Sequence, residues 1–269
     1  MGMTIALLNL KGGVGKTSSC YHVGGMMARA GRRVLLVDVD PQASLTQGFF
    51  GPQATRDFPA DATVAAMFDP DQSPIAEALV RPTGFPGLSI VPGSRHLTRT
   101  NMTPPEEWGM LQDGLRDLLA DVASDHDVVL LDCPPNLHLC SWAAMTAADR
   151  VVVPLQPEDF GSQGLAPVQE AIAAVQAGPN PSLDLAGYLL TMVDKRLTVH
   201  QAYETMLREM YGPAVFAAVM PRAKDFVEAV ASRQPISAYK PKSAAAKSAA
   251  AVGEEMLERA AEIISRRVA

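Results

Sequence analysis

The run Lys11-Gly12-Gly13-Val14-Gly15-Lys16-Thr17-Ser18 has the composition of a phosphate cradle. Glycines let a backbone turn so that its N–H groups converge on phosphate oxygens, and a helix starting beyond them adds its positive end. Lys16 offers a point charge to the β- and γ-phosphates, and the Thr17 hydroxyl offers a ligand for Mg²⁺. The general pattern GxxxxGK[ST] fails strictly, because Leu10 stands at its first glycine position, while the tighter pattern GGxGK[ST] is intact. A lysine at the start of such a loop reaches its own nucleotide poorly. Lys11 is therefore either a solvated side chain or a group aimed at the phosphates of a neighbouring subunit.

Two acidic positions complete the chemistry. Val37-Asp38-Val39-Asp40-Pro41-Gln42 ends one apolar run, and Val128-Val129-Leu130-Leu131-Asp132 ends another. Ligands of open parallel sheets sit beyond the carboxyl ends of the strands, so these aspartates are expected to face the glycine loop. Phosphoryl transfer to water needs a group that positions the attacking water and acidic support for the metal. Asp38 and Asp40 suit the first pair of needs, although an Asp-Pro turn is the plainer alternative. An apolar strand ending in Asp132 is weak alone and informative beside the loop.

These residues need a scaffold. Thr4–Asn9, Arg33–Asp38, Leu88–Pro92, Asp127–Asp132, Arg150–Leu155, Leu183–Met192 and Ala214–Met220 read as strands, with helices between most of them. Short continuous apolar runs separated by helices predict a mostly parallel sheet covered on both faces. No compositional break marks a linker, so residues 1–269 are expected to form a single doubly wound α/β domain of the P-loop NTPase type. Residues 47–106, rich in Pro, Gly, Asp and Thr, are expected to form surface loops around a few short helices. A final helix over Ser243–Val268 places Val252, Met256, Leu257, Ala260, Ala261, Ile263, Ile264 and Val268 on one side and Glu254, Glu255, Glu258 and Glu262 on the other. Core packing explains that face better than membrane contact.

Composition sets the outer bounds. The 269 residues are 48% hydrophobic and 19% charged, which excludes a disordered chain, and no apolar run is long enough for a membrane span. Cys20, Cys133 and Cys140 form no CxxC pair, and no secretion signal is evident, so a reducing cytoplasm is expected. The formal net charge of −6 argues against a protein that coats nucleic acid over its whole surface. Between residues 222 and 247, however, Arg222, Lys224, Arg233, Lys240, Lys242 and Lys247 face only Asp225 and Glu228 in number. That is either a solvated rim or a local anion-binding patch.

Taken together, KGGVGKTS, VDVDPQ and LLDCPP resemble the deviant Walker A, Walker A′ and Walker B motifs of ParA-type partition ATPases within the wider ParA/MinD group. The likeness continues through VVPLQPEDFGSQGL at 152–165, LLTMVDKR at 189–196, VMPR at 219–222 and QPISAYKPKS at 234–243. It resembles the small Soj-like branch, with no operator-binding helix-turn-helix before the loop. Iron–sulfur reductases of the group need a cysteine followed by two glycines, whereas Cys133 precedes two prolines. The basic amphipathic tip of MinD-like proteins is missing too.

The resemblance implies slow hydrolysis of ATP with Mg²⁺ in a nucleotide-sandwich homodimer. Lys11 matches the lysine that reaches the partner's phosphates. Gly12, Gly13, Val14, Gly15, Lys16, Thr17 and Ser18 match the cradle, and Asp40 matches the aspartate that positions water. Thr17, Asp38 and Asp132 match the surroundings of the metal, and Met192, Pro221 and Arg222 the adenine-side wall. Arg196 matches a position used for non-specific DNA contact. Lys224, Arg233, Lys240 and Lys242 extend that patch, although Asp225 stands where the family carries another basic residue. The resemblance further implies a ParB-like or cargo-adaptor partner that stimulates hydrolysis, a nucleoid-associated state with ATP, and chromosome or plasmid cargo. Relatives that position carboxysomes or chemoreceptor clusters, and a switch that binds only a protein partner, are the alternatives.

Overall fold

A computed structural model describes residues 2–72, 74–104, 107–158 and 165–268, without the side chains of 123 and 262–268. Seven strands form one sheet in the order β3-β4-β2-β5-β1-β6-β7. They are β1 (Met3–Leu7), β2 (Val34–Asp38), β3 (Arg81–Pro82), β4 (Leu88–Val91), β5 (Val128–Asp132), β6 (Arg150–Leu155) and β7 (Asp184–Leu190). All neighbours are parallel except β3 and β4. The register pairs Leu7 and Asp38 with Asp132, which brings the two acidic strand ends side by side next to the strand that feeds the glycine loop.

The apolar runs are continuous because the sheet buries both faces. Val34, Leu36, Val128 and Leu130 enter one core cluster, and Leu35, Val37, Val129 and Leu131 enter the other. Each fully buried leucine or valine contributes about 1.5–3 kcal/mol, enough to hold the strand ends in place. On the first face lie α1 (Lys16–Arg29), α2 (Ser44–Asp57), α9 (Lys224–Ala231), α10 (Ile236–Tyr239) and α11 (Ala244–Val268); on the second lie α5 (Gly114–Val122), α6 (Leu139–Ala147) and α7 (Leu165–Ala177). The remaining helices are α3 (Ala76–Leu79), α4 (Leu97–Asn101) and α8 (Thr198–Tyr211). No helix among the described residues is long and apolar enough to cross a membrane.

Three expectations change. Ala214–Met220 is not a strand. Phe216 and Met220 donate to the β7 carbonyls of Tyr188 and Leu190, but the Ala217 and Ala218 N–H groups turn away to the Glu255 carboxylate at 2.8 and 2.7 Å. A side chain of α11 has thereby taken the Ala218 donor that a continuous ladder with β7 would need. Residues 47–106 do more than cover the surface, since Val64, Phe68, Leu79 and Leu97 are buried in the second-face core. On α11, Val252, Met256 and Ala260 are buried as expected, whereas Ala261 is exposed. The side chains of Glu262, Ile263, Ile264 and Val268 lie outside the described residues, as do residues 159–164 of the expected 152–165 segment.

Candidate active site

The loop between β1 and α1 turns on Gly13 and Gly15, whose φ values of 76° and 83° are left-handed, a conformation that a side chain resists. Gly15 is the N-cap of α1, so the first N–H groups of a 14-residue helix open toward the cradle. Neighbouring strands brace the loop. The Asn9 amide donates to the Pro154 carbonyl at 2.7 Å and its Oδ1 accepts the Lys11 N–H at 2.9 Å. The Thr191 hydroxyl reaches the Val14 and Leu155 carbonyls at 2.7 and 3.0 Å, and the Gln156 amide donates to the Gly13 carbonyl at 3.2 Å.

Lys16 is buried inside the loop, where its Nζ donates to the carbonyls of Asn9 (3.0 Å) and Lys11 (3.2 Å). Burial lowers its pKa, while the charge of Asp132 works the other way. Lys11 behaves differently. Its Nζ lies 3.6 Å from Glu158 on the rim, with 35% of the side chain exposed. The two lysines of one loop therefore face different surroundings.

Asp38 and Asp132 are fully buried. Asp38 Oδ2 accepts the N–H and hydroxyl of Thr46 at 2.8 and 2.6 Å, and its Oδ1 accepts the Asp40 N–H at 3.3 Å. Even so, desolvation pushes the Asp38 carboxyl up to about 7, and Asp132 is raised by burial and by the neighbouring Asp38 charge. Neither Asp132 oxygen holds a well-formed hydrogen bond, although the Thr17 hydroxyl stands beside it. A pair of orphaned carboxylate oxygens next to a hydroxyl is the arrangement a hydrated divalent cation completes. Thr17 and Asp132 would hold Mg²⁺, with Asp38 kept behind them by Thr46. Held there, the ion would supply positive charge against the β- and γ-phosphates. Asp40 is half-buried beyond the strand end, with Oδ1 accepting the Gln42 N–H at 2.8 Å.

Beside the cradle lies a cavity of about 200 Å³. Met192, Pro221 and Arg222 line it, joined by Gly15 and Ser18 of the loop and by Phe226 and Val227 of α9. The β-bridge between Val193 and Pro221 and the Arg222 N–H bond to the Val193 carbonyl (2.9 Å) hold those two segments together. Met192 adopts a φ of 53°, a cost that functional sites tolerate.

The five basic candidates are more dispersed. Arg196 forms a bidentate pair with Asp194 at 2.9 and 2.7 Å, which holds the Asp194 carboxyl well below its ordinary range. Lys240 is held by Asp225 (2.8 Å) and Glu228 (2.7 Å), and Lys224 lies 3.7 Å from Glu228. A Cβ built on Gly51 would meet the Arg233 guanidinium at 2.5 Å, so Arg233 leans on α2, and Lys242 is exposed. Arg196 and Lys224 follow the bridged residues Val193 and Pro221 and share that edge of the fold. Asn9, Thr46, Gln156 and Thr191 are site residues that sequence reasoning passed over. Only their nearness to the motifs in the chain hinted at them.

A glycine cradle, a buried lysine and two acidic strand ends on a parallel sheet define a P-loop nucleoside triphosphatase. Residues 2–185 match the AAA domain family. The chain is 36% identical over 258 residues to the chromosome-partitioning ATPase Soj of Thermus thermophilus, covering 96% of each chain. It is 34% identical over 262 residues to the chromosome partitioning protein ParA of Myxococcus xanthus, covering 96% of this chain and 89% of that one. Among solved structures it is similar to cobyrinic acid a,c-diamide synthase of Mycobacterium smegmatis with bound ADP and magnesium. There the TM-score is 0.77 at 28% identity, covering 96% of this chain and 95% of that one. The chain belongs to the ParA/Soj family of partition ATPases. It is an ATPase whose cofactors are ATP and Mg²⁺.

Proposed function

We propose that this ATPase acts as an ATP-gated dimer that holds DNA without regard to sequence and lets go after hydrolysis. The observation that carries this reading is the division of labour between the two loop lysines. Lys16 already fills the cradle of its own chain, whereas Lys11 stands on the rim, tied to Glu158 by one long contact. An exposed ion pair of that kind contributes at most about 1 kcal/mol, so Lys11 is cheaply released to a second chain's phosphates. Adenine occupies the cavity lined by Met192, Pro221 and Arg222, and Asp40 positions the attacking water.

DNA contact falls to Arg196, Lys224, Arg233, Lys240 and Lys242. Dimerisation brings two such patches to one duplex, which reconciles binding with a net charge of −6. A cargo-bound partner of ParB type stimulates hydrolysis, the dimer separates, and repetition moves chromosome or plasmid cargo across the nucleoid. An ATPase that positions another cargo, or a switch that answers only to a protein partner, are the competing readings. Salt titration of binding to unrelated duplexes separates the DNA-free switch from the rest. Each phosphate contact adds roughly 0.9 to the slope of log affinity against log salt, so replacing Arg196 and Lys224 together flattens it by up to about two units. Absence of ATP-dependent DNA binding would remove DNA from the account.

A further inference from the structure

His22 lies one and a half turns into α1, beyond the phosphate loop, and is fully buried. Its ring meets three elements at once. It packs on the Phe226 ring of α9, with centroids 4.7 Å apart, and against Tyr21 at 5.1 Å. Its Nδ1 accepts the Ile236 N–H at the start of α10, at 3.1 Å. Nearby, Gly25 lets that segment close onto α1, since a Cβ there would meet Pro235 and Ser237 side chains at 2.6 and 2.9 Å. Burial lowers the imidazole to about 3, so the ring is neutral, and because Nδ1 accepts, the proton sits on Nε2. Nε2 makes only a poorly formed approach to the Phe226 backbone.

A buried polar ring with one donor left poorly satisfied costs stability, although its other nitrogen satisfies the buried Ile236 N–H. Its position explains its use. Phe226 is both its stacking partner and a wall of the cavity beside the cradle, and that cavity is otherwise built from the Thr191–Met192 and Met220–Ala223 segments and the loop. Helix α9 is eight residues long, and Phe226 and Ala229 are its buried residues. Lys240, just beyond α10, ties down Asp225 and Glu228, so Phe226 is the residue through which His22 reaches the cavity wall.

We infer that His22 is a positioning residue for the nucleotide base, seating Phe226 as the inner wall of the base cavity from the same helix whose first turn receives the phosphates. The inference rests on the reading that adenine occupies that cavity. It separates two contributions to affinity. The phosphates answer to the loop, whereas the base answers to the His22–Phe226 stack.

The test compares ATP with inorganic tripolyphosphate, which has no base, by calorimetric titration of the full chain with Mg²⁺. His22→Asn keeps an acceptor for the Ile236 N–H but removes the ring. It is expected to weaken ATP binding about three- to tenfold, the scale of one aromatic pair, and to leave tripolyphosphate unchanged. His22→Phe restores the ring and returns ATP to within about twofold of the parent. Phe226→Leu reproduces the His22→Asn defect, and the double variant is no weaker than either alone. It also supplies the measurement if His22→Asn does not fold. Equal weakening of both ligands, or no change in ATP affinity, overturns the inference. Val227→Trp, placed at the rim to fill the cavity, tests the underlying reading separately. If it spares ATP, adenine does not lie there. If it weakens ATP alone while the His22 and Phe226 variants behave as the parent, only the role of His22 is lost.

Discussion

The Thr46 hydroxyl donates to Asp38 Oδ2 at 2.6 Å while its oxygen accepts the Gly93 N–H at 2.8 Å. One side chain of α2 thereby orients the acidic end of β2 and fixes the loop that leaves β4. The backbone N–H of Thr46 adds a second donor to the same carboxylate oxygen. Without these donors a fully desolvated carboxyl would have little reason to stay ionised beside Asp132.

Thr46→Val keeps the shape and the backbone donor but removes the hydroxyl. It leaves the Gly93 N–H and one Asp38 lone pair unsatisfied, a loss of about 1–3 kcal/mol in folding stability. Hydrolysis falls further than stability, because an Asp38 that holds its proton supports Mg²⁺ poorly. Thr46→Ser restores both. Phosphate release and urea denaturation on the three proteins check this, and parent-like hydrolysis by the valine variant would return Thr46 to a purely structural role.

Asp40→Ala addresses the chemical step. Its carboxylate is engaged by the Gln42 N–H through one oxygen and lies beyond the two buried aspartates. The variant is expected to bind ATP with parent affinity and to hydrolyse it about a hundredfold more slowly. Single-turnover phosphate release measures that step directly, and a parent rate would take Asp40 out of the mechanism.

The buried imidazole has a consequence for acid stability. His22 titrates near 6.5 in an unfolded chain but only at about 3 when folded. Between those values the unfolded chain binds a proton that the folded one excludes. The neutral ring's contribution is therefore complete above about pH 6.5 and is lost as pH falls toward 3. Urea midpoints at about pH 7 and about pH 4.5 should differ less in His22→Phe than in the parent. Equal differences in the two proteins would show that His22 is not excluded from protonation.

Much of this was legible in the chain because buried parallel strands are written as continuous apolar runs, and because a phosphate loop needs glycines at fixed places. The positions of β1, β2, β4, β5, β6 and β7 along the chain and the grouping of Lys16, Thr17, Asp38 and Asp132 followed from those two facts, whereas the order of the strands across the sheet did not. The two-residue β3 is too short to carry any periodicity. Ala214–Met220 has the composition of a strand, and only the placement of Glu255 on a distant helix withdraws the Ala218 donor. Thr46, Thr191 and His22 are ordinary residues within their helices and loops. Their roles come from what the fold sets opposite them, namely Asp38, the Val14 carbonyl and Phe226.

The central claim is that Lys11 serves a second chain rather than its own. Light scattering of the parent and of Lys11→Ala, each with Mg²⁺ and a non-hydrolysable ATP analogue, tests it most directly. The account predicts that the parent runs at twice the chain mass, while Lys11→Ala binds the analogue with near-parent affinity and remains a monomer. A Lys11→Ala protein that dimerises as the parent does would contradict it and leave Lys11 a solvated residue on the rim of its own site.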